Sequence, residues 1–288
     1  VITALILLFF TITIETKMIV KKVITFSGIL VTLFCVFLKF GLFSQNGVSS
    51  YFTQKILLDE FSLFGNVLIG LILLLNFIPI WGTSYELNEK TSEAIILILM
   101  SASGFFLMVD AENLIMLFIG LEIGSISLYA LAGLNRRDKL SNEASLKYFL
   151  LGSLASCIFI YGVALVYVSY SLMSVYDFAL AIAYTGPDLI PLTTFIGVLL
   201  IFVGLLFKIA AAPFQSWAPD VYQGSPTGYV GYMASVAKAA SFIVIARICM
   251  VSIRFILEDF EPFFFAVIFL SVLVLSLIHI SEPTRHAS

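Results

Sequence analysis

Four ionisable side chains sit inside apolar runs. They are Glu122 in LIMLFIGLEIGSISLYALAGL, Lys147 in NEASLKYFLLGSLAS, Lys208 in FKIAAAPFQSWAPDVYQGSPT and Lys238 in GYVGYMASVAKAASFIVIA. Charge at bilayer depth is expensive and commonly marks an ion path. An amine removed from water holds its proton less tightly, a second cation loosens it further, and a nearby carboxylate tightens it again. Moving Glu122 relative to Lys208 would therefore switch that lysine between holding and releasing a proton, with Lys238 as the next acceptor. Such a chain moves protons without a cofactor. The competing reading is a static ion bridge that fixes packing; one acid against three lysines weighs against it. Lys147, about one turn inside its helix, could also snorkel to the headgroups. Arg247 reads as a structural partner for a carboxylate, and Arg254 as interfacial.

The elements that carry these residues follow from composition. The chain is 61% hydrophobic and 11% charged, with a mean hydropathy of +1.09, whereas soluble domains are roughly a quarter charged. Repeated apolar runs of bilayer-spanning length predict an all-α polytopic membrane protein of about nine spans. These fall near Ile2–Ile14, Val23–Phe43, Phe61–Trp81, Ala94–Val109, Asn113–Leu134, Ala144–Tyr170, Leu192–Ala212, Thr227–Leu257 and Pro262–Ile280. Glu122 and Lys238 then lie on the order of 14–16 Å into their spans, near the midplane. Ser171–Pro191 is the longest connection. The net charge of −3 says little about partners, and no polybasic segment points to nucleic acid. Cys35, Cys157 and Cys249 are widely spaced and read as small core residues.

If the spans alternate, Lys17, Lys21, Lys22, Lys90, Arg136, Arg137 and Lys139 share one side, which predicts a cytoplasmic or matrix face there. Lys39, Lys55 and Arg254 fall on the other. The chain opens without Met and its first span is short. At the other end LSLIHISEPTRHAS breaks the last span at His279 and turns polar. Either the start is truncated or a non-standard start codon was translated, and the end is expected to be foreign, with a genuine polar tail as the alternative.

Behind Lys208 the seventh span is interrupted. Pro213 and Pro219 each remove an amide donor and obstruct a turn, and Pro226 follows. Non-helical backbone at membrane depth is tolerated where it is buried in protein or lines a watery cavity. Gln215, Ser216, Asp220 and Ser225 could hold water there, giving Lys208 a hydrated neighbour and a hinge. A simple kink is the alternative. Gly228, Gly231, Ala234, Ser235 and Ala237 allow close helix contact afterwards, and the GxxxG spacing in GLEIG reads as packing only.

FKIAAAPFQSWAPDVYQGSPT resembles the discontinuous seventh helix of the antiporter-like subunits of respiratory complex I. Its PDVYQGSPT form, with LFIGLEIGSISLYALAG and ASLKYFLLGSLASCIFIYG, is similar to the subunit N branch of NADH-quinone oxidoreductase, called subunit 2 in mitochondria. The resemblance covers roughly Glu93 to Arg247. It implies that Glu122 is the fifth-helix glutamate, Lys147 the sixth-helix lysine, Lys208 the broken-helix lysine and Lys238 the eighth-helix lysine, all in proton translocation. Pro213, Pro219, Asp220 and Pro226 belong to the helix break. The family has about fourteen helices built on two inverted five-helix repeats. The expected division is 1–93 as three leading helices, 94–257 as the first repeat, 258–280 as a partial ninth helix and 281–288 as a polar tail. The second broken helix and its lysine lie beyond this sequence.

The resemblance further implies a bacterial cytoplasmic membrane or, alternatively, the mitochondrial inner membrane, with other membrane subunits of the complex as partners. NADH, FMN, iron–sulfur clusters and quinone belong to the parent complex. No cofactor or metal is expected on this chain, which has no GxGxxG, no Walker lysine loop and no cysteine cluster. A cation/proton antiporter subunit, a membrane-bound hydrogenase subunit and a passive scaffold remain as alternatives.

Overall fold

A computed structural model describes residues 18–51, 55–86, 91–186 and 189–281. The first predicted span, Ile2–Ile14, and the tail after Ser281 lie outside the described residues, as do Lys17 and Lys90.

The helices are α1 (Met18–Asn46), α2 (Glu60–Glu86), α3 (Thr91–Asp110), α4 (Leu114–Ala132), α5 (Lys139–Tyr170), α6 (Val175–Thr185), α7 (Leu192–Ile209), α8 (Trp217–Gly224), α9 (Thr227–Arg247) and α10 (Leu257–Ser281). Among the described residues, six segments are long and apolar enough to cross a membrane: Glu93–Asp110, Leu114–Ala132, Lys139–Tyr170, Leu192–Ile209, Thr227–Ser252 and Leu257–Leu277. Shorter apolar stretches lie in α1, α2 and α6. The protein is an all-α, multi-pass membrane protein in which the Leu192–Ile209 span ends at an interruption.

Without a strong hydrophobic drive between helices in lipid, small residues that let backbones approach hold such bundles together. α3 packs most closely on α4, α5 on α7, and α2 on α9. At the first interface, a Cβ on Gly104 would lie 2.3 Å from the Gly124 amide nitrogen, and one on Gly120 2.5 Å from that of Met108. Gly120 and Gly124 are the GxxxG pair, and packing is what they do. The faces turned outward are apolar, as with Leu146, Phe149, Leu150 and Leu154 on α5.

Four expectations change. Ser171–Pro191 contains helix α6. Ser174 caps it by accepting from the Asp177 amide at 3.1 Å, and Val175, Phe178, Ala179 and Ile182 form its buried stripe. A small antiparallel hairpin, β1 (Ser49–Tyr51) and β2 (Ile56–Leu58), precedes α2 and pairs Ser49 with Leu58. α10 runs through His279 to Ser281, because a single histidine withdraws no backbone hydrogen bond from the helix. Cys35 and Cys157 are exposed on the bundle's outside rather than in its core, and Cys249 is half-buried; a thiol is apolar enough for either setting.

Candidate proton-translocation site

α7 ends one residue after Lys208. Ala210 takes the left-handed conformation (φ 57°), its amide donates to Phe207 at 3.0 Å, and the Ala211 amide donates to Leu206 at 3.1 Å. This is the Schellman pattern, normally built on glycine. The Trp217 indole N–H also donates to the Phe207 carbonyl at 3.0 Å, so a side chain answers a backbone group freed by the interruption. Pro213 lies in the non-helical stretch, and Pro226 precedes the first residue of α9. Pro219 behaves differently from the expectation. It occupies the first turn of α8, where its missing amide would have had no helical partner, so it obstructs nothing.

The Lys208 side chain turns inward and is 4% exposed. Its Nζ donates to Ser125 Oγ at 2.9 Å and to Tyr129 Oη at 2.8 Å. Glu122, Ser125 and Tyr129 stand at i, i+3 and i+7 of α4 and so share one face. Glu122 accepts a hydrogen bond from Ser156 on α5. The Glu122 carboxylate is close enough to act electrostatically on both Lys208 and Tyr129. Yet no ion pair within 4 Å joins Glu122 to Lys208 among the described residues. Gly152 makes room for this arrangement: a Cβ there would lie 2.2 Å from Tyr129 Oη.

Lys238 stands apart. Its Nζ lies 5.7 Å from the centroid of the Tyr222 ring, and it shares no hydrogen bond with Lys208 or Glu122. Between the two lysines runs a series of touching rings. Tyr129 meets Tyr148 edge-on at 4.7 Å, Tyr148 stacks on Trp217 at 4.7 Å, and Trp217 meets Tyr222 at 5.9 Å.

Lys147 is partly exposed. It pairs with Glu143 at 2.7 Å and with Asp220 at 2.6 Å, lining a cleft of about 80 Å³ beside α8. This corrects two expectations: Asp220 holds a lysine rather than water, and the three lysines do not depend on one acid. Arg247 fills the role of carboxylate partner, pairing with Asp59 at 2.5 Å, and Arg254 is exposed. The hydroxyls of Ser125, Tyr129 and Ser156 were not singled out from the sequence; their spacing from Glu122 and the apolar setting of α4 and α5 were the available signals.

Residues 111–283 match the family described as NADH:quinone oxidoreductase/Mrp antiporter, transmembrane. The chain belongs to this family. It is similar to NADH-quinone oxidoreductase subunit N 1 of Solibacter usitatus, with 41% identity over 213 residues, covering 73% of this chain and 43% of that relative. The subunit N likeness expected from the motifs is therefore present, and the chain spans less than half the length of that relative. A chain of respiratory complex I from Thermus thermophilus superposes with a TM-score of 0.67 at 28% identity, covering 85% of this chain and 51% of the other. A chain of the Mrp complex from Dietzia superposes with a TM-score of 0.72 at 16% identity, over 88% and 48% of the two chains, which shows the shared fold alone.

Proposed function

We propose that this chain belongs to a proton-translocating membrane subunit of NADH-quinone oxidoreductase, in a bacterial cytoplasmic membrane. Bacterial subunit N relatives support that reading over the antiporter and hydrogenase alternatives. NADH, FMN, iron–sulfur and quinone chemistry then reside on partner subunits, which drive this one through conformation and electrostatics.

The observation that carries the reading is a buried Lys208 within the field of Glu122 but not bound to it. A locked ion pair would hold the proton in place. Here a small change in the Glu122–Lys208 separation alters the energy of the charged amine steeply, because interactions are weakly screened away from water. Lys147 and Asp220 form the hydrated mouth, Glu122 with Ser156 sets the field, Lys208 carries the proton, and Lys238 receives it across the hinge.

The test is Lys208→Ala and Lys238→Ala in the full-length subunit, assembled in its complex and reconstituted in vesicles. Proton pumping should fall by about a hundredfold or more at normal assembly, the effect of losing a positioned proton-transfer group. Unchanged pumping at normal assembly would leave a passive scaffold. Co-purification with NADH-oxidising subunits distinguishes the oxidoreductase from an antiporter.

A further inference from the structure

The opposite end of the bundle holds a second set of charges that the scheme above does not use. There α3 ends at Asp110, α4 starts after Asn113, α6 starts after Ser174 and α9 ends at Arg247. Arg247 is fully buried and donates to the carbonyls of Val109 (2.6 Å) and Ala111 (3.1 Å) and to Asp59. Asp110 accepts from Asn66 at 2.7 Å and pairs with Lys39. Both aspartates thus have cations. Glu112 does not: its carboxylate accepts from the Ser174 hydroxyl, and among the described residues no ion pair reaches it.

Glu112 is also fixed in place. Its amide donates to the Lys55 carbonyl at 3.1 Å, and its carbonyl accepts from the Val175 amide at 3.0 Å. Its backbone is therefore tied to the hairpin on one side and to the start of α6 on the other. The residue is 8% exposed, at the wall of an open cavity of about 520 Å³ that Lys55, Ser174, Tyr176 and Asp177 also line.

Towards the midplane, two buried polar atoms lack protein partners: Asn66 Oδ1 on α2 and Ser241 Oγ on α9. Gly65 lies against Ile243, and Gly231 against Asn76, so α2 and α9 run antiparallel with Asn66 and Ser241 at similar heights. Ser241 is one turn from Lys238, and Asn66 already binds Asp110. Polar groups therefore step from the Lys238 level toward Asp110, and two of them keep the unmet hydrogen-bonding capacity that water satisfies in protein interiors.

We propose that Glu112 is a proton-exchange group at the outer end of the bundle. Its carboxylic acid gives its proton to a cavity water, leaving a carboxylate, and regains one from the Lys238 side through the Ser241–Asn66–Asp110 steps. The inference rests on the proton-translocation reading and supplies it with an outlet.

Charges and titratable groups act on Glu112 from several elements: Asp177 and Tyr176 from α6, and Arg247 from α9, with Lys55 of the hairpin turn lining the same cavity. Burial pushes the Glu112 carboxyl above its ordinary value and Asp177 adds to the push, while the Ser174 hydroxyl and Arg247 draw it back. The protonated form is thus more accessible near neutral pH than for an exposed glutamate.

The experiment is an infrared pH titration of the assembled complex, comparing the full-length wild-type subunit with Glu112→Gln and Ser174→Ala, alongside pumping in vesicles. A protonated-carboxyl band should vanish in Glu112→Gln, a substitution that keeps size and an acceptor for Ser174. Losing the Ser174 donor disfavours the carboxylate, so Ser174→Ala should move that band's midpoint upward by about one pH unit. Pumping in Glu112→Gln should fall about tenfold. A titration unaltered by both variants, or undiminished pumping in Glu112→Gln, overturns the proposal. Because the titration reads Glu112 itself, it can fail while Lys208→Ala still abolishes pumping. Conversely, Glu112 can titrate as expected while Lys208→Ala leaves pumping intact, which would count against the translocation reading instead.

Discussion

Lys208 and Arg247 are both cations buried to within a few per cent of full enclosure, yet they are held in opposite ways. Arg247 has a carboxylate at 2.5 Å and two backbone carbonyls, from two separate parts of the chain. Lys208 has two neutral hydroxyls and a carboxylate it does not touch. A guanidinium does not give up its proton in proteins, whereas an amine does so readily when buried. The fold puts the permanent charge where helices α2, α3 and α9 must stay joined, and the releasable one beside the end of α7. Pairing marks a fastener; near-pairing marks a working part.

The contrast breaks most visibly at the fastener. Arg247→Ala leaves Asp59 buried without its cation, and thermal unfolding of the assembled protein should show a loss of about 3–5 kcal/mol. Arg247→Met combined with Asp59→Leu should recover part of that loss by removing both charges. Lys208→Ala should leave unfolding nearly unchanged while removing pumping. Equal destabilisation by the two alanine variants would erase the distinction.

Gly152→Ala tests the working part from the side. The added methyl would meet Tyr129 Oη at 2.2 Å, so Tyr129 must shift away from Lys208. Overpacking of this kind costs about 1–3 kcal/mol, and pumping should fall with it. An unfolding temperature and a pumping rate both equal to wild type would show that the Tyr129–Lys208 contact is dispensable.

The smallest effect belongs to Asp220→Asn. The Lys147–Asp220 pair is exposed, and exposed pairs contribute little and are screened by salt. Unfolding should be indistinguishable from wild type in low and high salt. A clear shift in low salt would move this pair into the class of Arg247.

Much of this was legible in the sequence because lipid imposes simple rules. Uninterrupted apolar runs gave α3, α4, α5, α7, α9 and α10, and a lysine followed by prolines gave the break. Short elements were not legible on the same grounds. At eleven residues α6 is too short for a span, although its Ser174 cap and apolar stripe were there to be read. The hairpin of two three-residue strands carries almost no periodic signal. Partners were the hardest to see. Arg247 was visible as a deep charge, but Asp59 lies 188 residues away and only the fold joins them. Ser125 and Tyr129 were invisible because hydroxyls in apolar helices usually answer their own backbone, as Ser127 does with Ile123.

The two hydroxyls around Lys208 have one more implication. A carboxylate can only accept, so it binds an ammonium well and a bare amine poorly. A serine or tyrosine oxygen can accept from the ammonium and, after its O–H swings round, donate to the amine's lone pair. The same cradle therefore suits the lysine before and after it parts with its hydrogen ion, and neither condition becomes a trap. Under the proposed function, that evenness serves repeated loading and release better than a tight grip would.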